Sequence, residues 1–140
     1  MSEEKNIIKA PMSAFGVLKK SNEGVKLPLF LPDGTETQEF LKIKGADSKE
    51  FKTAKSQANR EYLDIADLLK DKKITQEEAE ERDEKVHTKL LATLVCGWSF
   101  EPECTHSNVV DFFENSPQIK KEVNLAAADR ANFFEKPPQD

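Results

Sequence analysis

Four side chains in this sequence have the chemistry to hold a metal ion or to attack a substrate: His87, Cys96, Cys104 and His106. The last three follow the pattern Cys-x7-Cys-x-His. Structural zinc sites need cysteine pairs about two to four residues apart and a second ligand pair. The spacing does not meet that demand. Cys104 and His106 are two residues apart at a loop or helix start, a separation that does not turn a thiol and an imidazole towards each other. The five glycines, at 16, 24, 34, 45 and 97, stand alone, so no glycine-rich phosphate loop is present. Carboxylates are abundant, but none lies in an apolar setting that would tune its pKa for acid–base work. The expectation is a non-enzymatic chain with no catalytic residue, no metal and no cofactor.

Aromatic residues carry more information. Trp98 and Phe100 flank Ser99 directly after an apolar run. Two uses fit them. The rings plug the core, with the indole N–H finding a nearby carbonyl, or they anchor another protein, because Trp is a frequent hot-spot residue. The pairs Phe112–Phe113 and Phe133–Phe134 pose a related question. Adjacent helical residues point about 100° apart, so one of each pair is a candidate for exposure unless the apolar face is wide. Phe133 is close to a polar C-terminal tail, where a partner could take it.

The elements that must position these residues follow from periodicity. Residues 25–31, VKLPLFL, and 35–44 read as two strands joined at Pro32-Asp33-Gly34, a turn in which Pro presets φ and Gly accepts positive φ. Pro28 lacks an N–H for a ladder, which places the first strand at an edge. Phe51, Ala54, Ala58, Tyr62, Ile65 and Leu69 recur at helical spacing, with Asp47 or Ser48 as N-cap. Thr75-Gln76-Glu77-Glu78 forms a capping box before a second long helix over 75–95, which Gly97 closes as a C-terminal glycine. The charge run EEAEERDEK in its first half reads as a solvated face. Thr105 or Ser107 caps a short helix over 106–114. Ser116-Pro117 opens a last helix over 117–135, ended by Pro137-Pro138. Within the N-terminal lead, Phe15, Val17 and Leu18 could dock as a short strand.

Composition bounds the partners. Ile, Leu, Val and Phe supply 34 of 140 residues, enough for a core. The net charge is −5, distributed as +1, −2 and −4 over residues 1–44, 45–95 and 96–140. No basic patch is present to follow a phosphate backbone, which disfavours nucleic acid. No apolar run is long enough to span a membrane or to serve as a secretory signal. Two cysteines do not make a disulfide scaffold. These features predict a cytoplasmic protein of a reducing compartment.

One set of motifs resembles a known family. Leu94-Val95-Cys96-Gly97-Trp98-Ser99-Phe100, Cys104-Thr105, Asn108-Val109, Phe112-Phe113, Asn115-Ser116-Pro117-Gln118-Ile119, and then Ala127, Arg130, Phe133 and Phe134 resemble the C-terminal half of tail assembly chaperones of long-tailed bacteriophages. There an Ala-Gly-Trp followed by an aromatic precedes a short helix, a Pro-x-Ile helix start and a terminal Arg-x-x-Phe-Phe. Cys96 stands in place of the usual Ala. The close resemblance covers about 40–45 residues, and the remainder matches in layout. It implies a chaperone that binds the phage tape measure protein in the host bacterial cytoplasm and is absent from the mature virion. It extends the partners to the tail tube protein through a frameshifted longer form, and is compatible with self-association. The alternative is a structural tail-completion or head–tail connector subunit.

The expected fold is α+β, mainly α-helical, with an N-terminal β-hairpin packed on about four helices. Residues 1–24 form a flexible lead, 25–135 a single domain and 136–140 a disordered tail. The expected partner-binding residues are Trp98, Phe100, Phe112, Phe113, Phe133 and Phe134.

Overall fold

A computed structural model describes residues 7–135. The fold is α+β, as expected. Its elements are α1 (Leu18–Glu23), β1 (Val25–Phe30), β2 (Glu36–Ile43), α2 (Lys49–Lys70), α3 (Gln76–Ala92), β3 (Val95–Trp98), α4 (His106–Asn115) and α5 (Pro117–Ala128), with 3₁₀ turns at Met12–Phe15 and Arg130–Asn132. The three strands form an antiparallel sheet in the order β1-β2-β3.

The hairpin forms where the turn residues place it. Gly34 has φ of +90°, the Asp33 carboxylate accepts from the Thr35 N–H and hydroxyl, and the Leu31 N–H donates to Thr35 O. β1 is an edge strand, as Pro28 requires. The Phe40 N–H and C=O both face Ser99, on the β3 side. Pro28, paired with Phe40, therefore turns its donor-less nitrogen to the open edge.

Capping chemistry sets the helix starts. Ser48 Oγ accepts from the Phe51 N–H at 3.4 Å, and the Thr75/Glu78 capping box is reciprocal at 3.1 and 3.2 Å. Thr105 Oγ1 accepts from the Asn108 N–H. Ser116 occupies the cap before Pro117, but its hydroxyl makes no capping bond. α2 and α3 pack as an antiparallel pair: Ala54 and Ala58 face Leu90 and Thr93 near one end, and Ile65 and Leu68 face Arg82 and Val86 towards the other.

The structure corrects the sequence reading at four places. The second long helix ends at Ala92, and after a turn Val95–Trp98 forms a short strand paired with β2. Gly97 is thus a strand residue opposite Lys42, not a helix stop. Residues 12–18 do not form a strand: the 3₁₀ turn leads into α1. Within the expected lead, α1 packs on the domain. Ser21 is buried against Gly45, and the Asn22 side chain accepts from the Lys49 N–H at 2.8 Å. Finally, α5 stops at Ala128, where Asp129 turns extended, so Arg130 and Phe134 lie outside the helix. The expected tail, 136–140, lies outside the described residues, as do residues 1–6.

The main core joins Leu29, Leu41 and Ile43 of the sheet to Phe51, Leu91, Val109, Phe113, Ile119, Val123 and Phe133. Ala127 O accepts from the Ala46 N–H at 2.8 Å, tying the end of α5 to the β2–α2 connection.

Candidate partner-binding surface

β3 places Trp98 directly opposite Leu41, on the sheet face that looks into the core. The chain then bends, and Phe100 folds back onto the indole. α4 brings Phe112 to the same place. The three rings meet edge to face: 5.3 Å between the centroids of Trp98 and Phe100, 6.0 Å between Trp98 and Phe112, and 5.2 Å between Phe100 and Phe112. That is the arrangement ring quadrupoles favour, contributing roughly 0.5–1.5 kcal/mol per pair beyond area burial. Each ring is half-buried and packs against the core. The rings therefore still keep part of their surface exposed.

Two polar contacts hold this loop. The Trp98 Nε1–H donates to Pro102 O at 2.7 Å. Ser99 prolongs the β2–β3 ladder: its N–H donates to Phe40 O at 3.1 Å, its Oγ accepts from the Phe40 N–H at 2.9 Å, and its hydroxyl donates to the Glu39 carboxylate at 2.5 Å. Ser99 is a positioning residue that periodicity alone does not reveal. A serine between two aromatics after an apolar run was the available signal, and the missed third strand concealed it.

The other expected site residues separate. Phe113, beside Phe112 at 6.3 Å between centroids, is 1% exposed, and Phe133 is 2% exposed. Both are core residues and offer no surface to a partner. Each Phe pair has one buried and one half-buried member, and in the last pair the half-buried one is Phe134, not Phe133. Arg130 explains how that terminal motif is anchored. Its Nε and an Nη donate to the two oxygens of Asp47 at 2.8 and 3.0 Å, a forked pair that holds the Asp47 carboxyl below its ordinary range. The Arg130 clamp and the buried Phe133 together fasten the chain end over the β2–α2 connection.

The nucleophilic and ligating candidates do not converge. Among the described residues no group of three or more His, Cys, Asp or Glu side chains is placed to hold a metal ion. His106 Nε2 lies 3.0 Å from Lys89 O, at the end of α3. Cys96 is exposed, beside Gly24 and 3.5 Å from Lys42 O, while burial pushes the half-buried Cys104 thiol up, away from the reactive thiolate form. Glu84 is lowered chiefly by its bond from Lys120, which also reaches Thr88, so this charged cluster is a strut between α3 and α5. No helix among the described residues is long and apolar enough to cross a membrane. No protein-family model matches the sequence, and neither a curated protein nor a solved structure is similar to it.

Proposed function

We propose that this chain is a tail assembly chaperone of a long-tailed bacteriophage, binding the tape measure protein in the host cytoplasm without catalysis. The observation that carries the reading is the half-open ring cluster of Trp98, Phe100 and Phe112, held by Ser99 and Pro102 before any partner arrives. Rigid aromatics give up little conformational entropy on binding, which suits the capture of an apolar helical client. The motif series from Gly97 to Phe134 supports the same reading through its resemblance to that family. A net charge of −5 keeps such a holdase soluble while it exposes apolar surface. The tail tube protein, reached through a frameshifted longer form, belongs to the same proposal.

Co-expression with the long helical reading frame encoded just downstream tests it. The expected result is a soluble client that co-elutes with this chain, together with virions that lack the chain. Phe100→Ala and Phe112→Ala should release the client while the purified variants still unfold cooperatively. An insoluble client, with the chain present in finished particles, would replace the chaperone by a structural tail-completion or connector subunit.

A further inference from the structure

A second apolar surface lies away from the ring cluster. Between the open edge of β1 and α5 runs a groove of about 400 Å³, floored by Pro28, Phe30, Leu125 and Ala126 and flanked by Glu122 and Asp129. Leu125, in the last turn of α5, is 62% exposed, and Phe30 is also exposed. Together with Pro28 and Ala126 they form one contiguous apolar patch rather than lone surface residues, the kind of surface that marks an interaction site. The strand edge itself does not invite another strand, because Pro28 has no N–H to offer at its centre. The groove takes side chains.

The same molecule carries an unpartnered apolar segment. Ile7, Met12 and Phe15 are 91%, 91% and 77% exposed, and Ile8 is exposed as well. These residues precede Val17, which packs on the core, so they form an arm that leaves the domain at Gly16. Residues 7–16 include Lys9 and no acidic residue, whereas both charged residues of the groove are carboxylates. With the 3₁₀ turn at Met12–Phe15 retained and the other six residues extended, residues 7–16 reach about 28 Å, enough to cross onto a neighbouring molecule.

We propose that this protein forms a symmetric dimer in which the arm of each copy, residues 7–15, lies in the β1–α5 groove of the other. Ile7, Ile8, Met12 and Phe15 fill the apolar floor, and Lys9 faces Glu122 and Asp129. The exchange is isologous, so every contact occurs twice. Eight large apolar side chains in two grooves bury on the order of 1,000 Å² from the arms alone, near the lower range of stable interfaces. The ring cluster of Trp98 is not used, and this assembly does not rest on the identity of any client.

Sedimentation equilibrium of the full chain tests the exchange. The wild type is expected to dimerise. Leu125→Lys, on an exposed position, and the arm variant Phe15→Ser with Met12→Ser should each raise the dimer Kd by at least about tenfold, the equivalent of about 1.4 kcal/mol, with unchanged circular dichroism. Mixing the two variants should restore association in part, because one of the two arm–groove contacts is then intact. Glu122→Lys should weaken the dimer, and adding Lys9→Glu to it should restore part of the loss. A monomeric wild type overturns the proposal, as does a dimer that persists in Leu125→Lys. So does a monomer in which Leu125→Lys frees the arm to proteolysis, since that outcome places the arm in its own groove.

Discussion

The two halves of this molecule are stabilised differently. At one end the sheet, α4, α5 and the sheet-proximal ends of α2 and α3 share the main core, which contains the fully buried Phe113, Phe133, Leu41 and Ile43. At the other end the α2–α3 hairpin buries Ala58, Ile65 and Ala79 outside that core, beneath a heavily charged surface. Small side chains bring the two helices close but remove little apolar area from water. Most of the cooperative stability should therefore lie at the sheet end, where the candidate binding rings also rest. The distal hairpin should open first, as a local event.

Removing one large side chain from each half is the strongest test. Phe113→Ala should cost about 3–5 kcal/mol, because the cavity opens in a close-packed core. Its effect should appear in the global unfolding midpoint. Ile65→Ala should cost about 2 kcal/mol or less, and native-state hydrogen exchange should place most of the loss in residues around 58–82. Equal costs, or a global effect from Ile65→Ala, would mean that the hairpin and the sheet end form one cooperative unit.

Gly45→Ala probes the junction where the lead joins the sheet end. A Cβ at Gly45 would overlap Ser21 Oγ and press on the Ser21 Cβ at 3.0 Å. Rotating the Ser21 hydroxyl, which has no partner among the described residues, relieves the first contact, but the Ser21 Cβ at 3.0 Å and Cα at 3.3 Å belong to the buried face of α1 and yield only if α1 shifts. The expected loss is about 1–3 kcal/mol, with increased proteolysis before Val25. An unchanged midpoint would show that α1 contributes nothing to the sheet end.

The same division explains what could be read from the sequence. Both hairpins were legible, because local chemistry specifies them: Pro32-Asp33-Gly34 for the strands, Ser48 and the Thr75/Glu78 box for the helices, and a 3.6-residue stripe from Phe51 to Leu69. β3 was not legible. Val95–Trp98 is four residues long, follows a helix without a break in hydrophobicity, and ends near a glycine that resembles a helix stop. Only pairing with β2, more than fifty residues earlier, makes it a strand. The candidate site inherited that difficulty. Periodicity could limit each Phe pair to one exposed member, and it gave no reason for Phe133 rather than Phe134 to turn inward. That choice depends on α5 ending at Ala128 and on the Arg130–Asp47 clamp, a contact 83 residues long in sequence.

Smaller changes at the hairpin tips sharpen the comparison. Thr75→Ala removes the hydroxyl that accepts from the Glu78 N–H and unpairs the capping box. It should cost about 1 kcal/mol, read as faster exchange in the first turns of α3. The global midpoint should hardly move if that end already opens locally. A loss of the same size in global unfolding would place the cap inside the cooperative unit.

The smallest effect has the opposite sign. Between α2 and α3, Lys72 has φ of +59°, and the amides of Lys72 and Lys73 donate to Leu69 O and Leu68 O. This is the pattern of a helix ending in a left-handed residue, a position that glycine occupies without strain. Lys72→Gly removes a steric cost of roughly 1–2 kcal/mol. It also adds unfolded-state entropy of similar sign to the usual glycine penalty, about 0.5–1 kcal/mol. The net gain should be about 0.5 kcal/mol, confined to the distal hairpin and visible as slower exchange of the last turn of α2. If the gain appeared instead in the global midpoint, the hairpin turn would be formed in every molecule that retains the sheet end, and the two halves would unfold together.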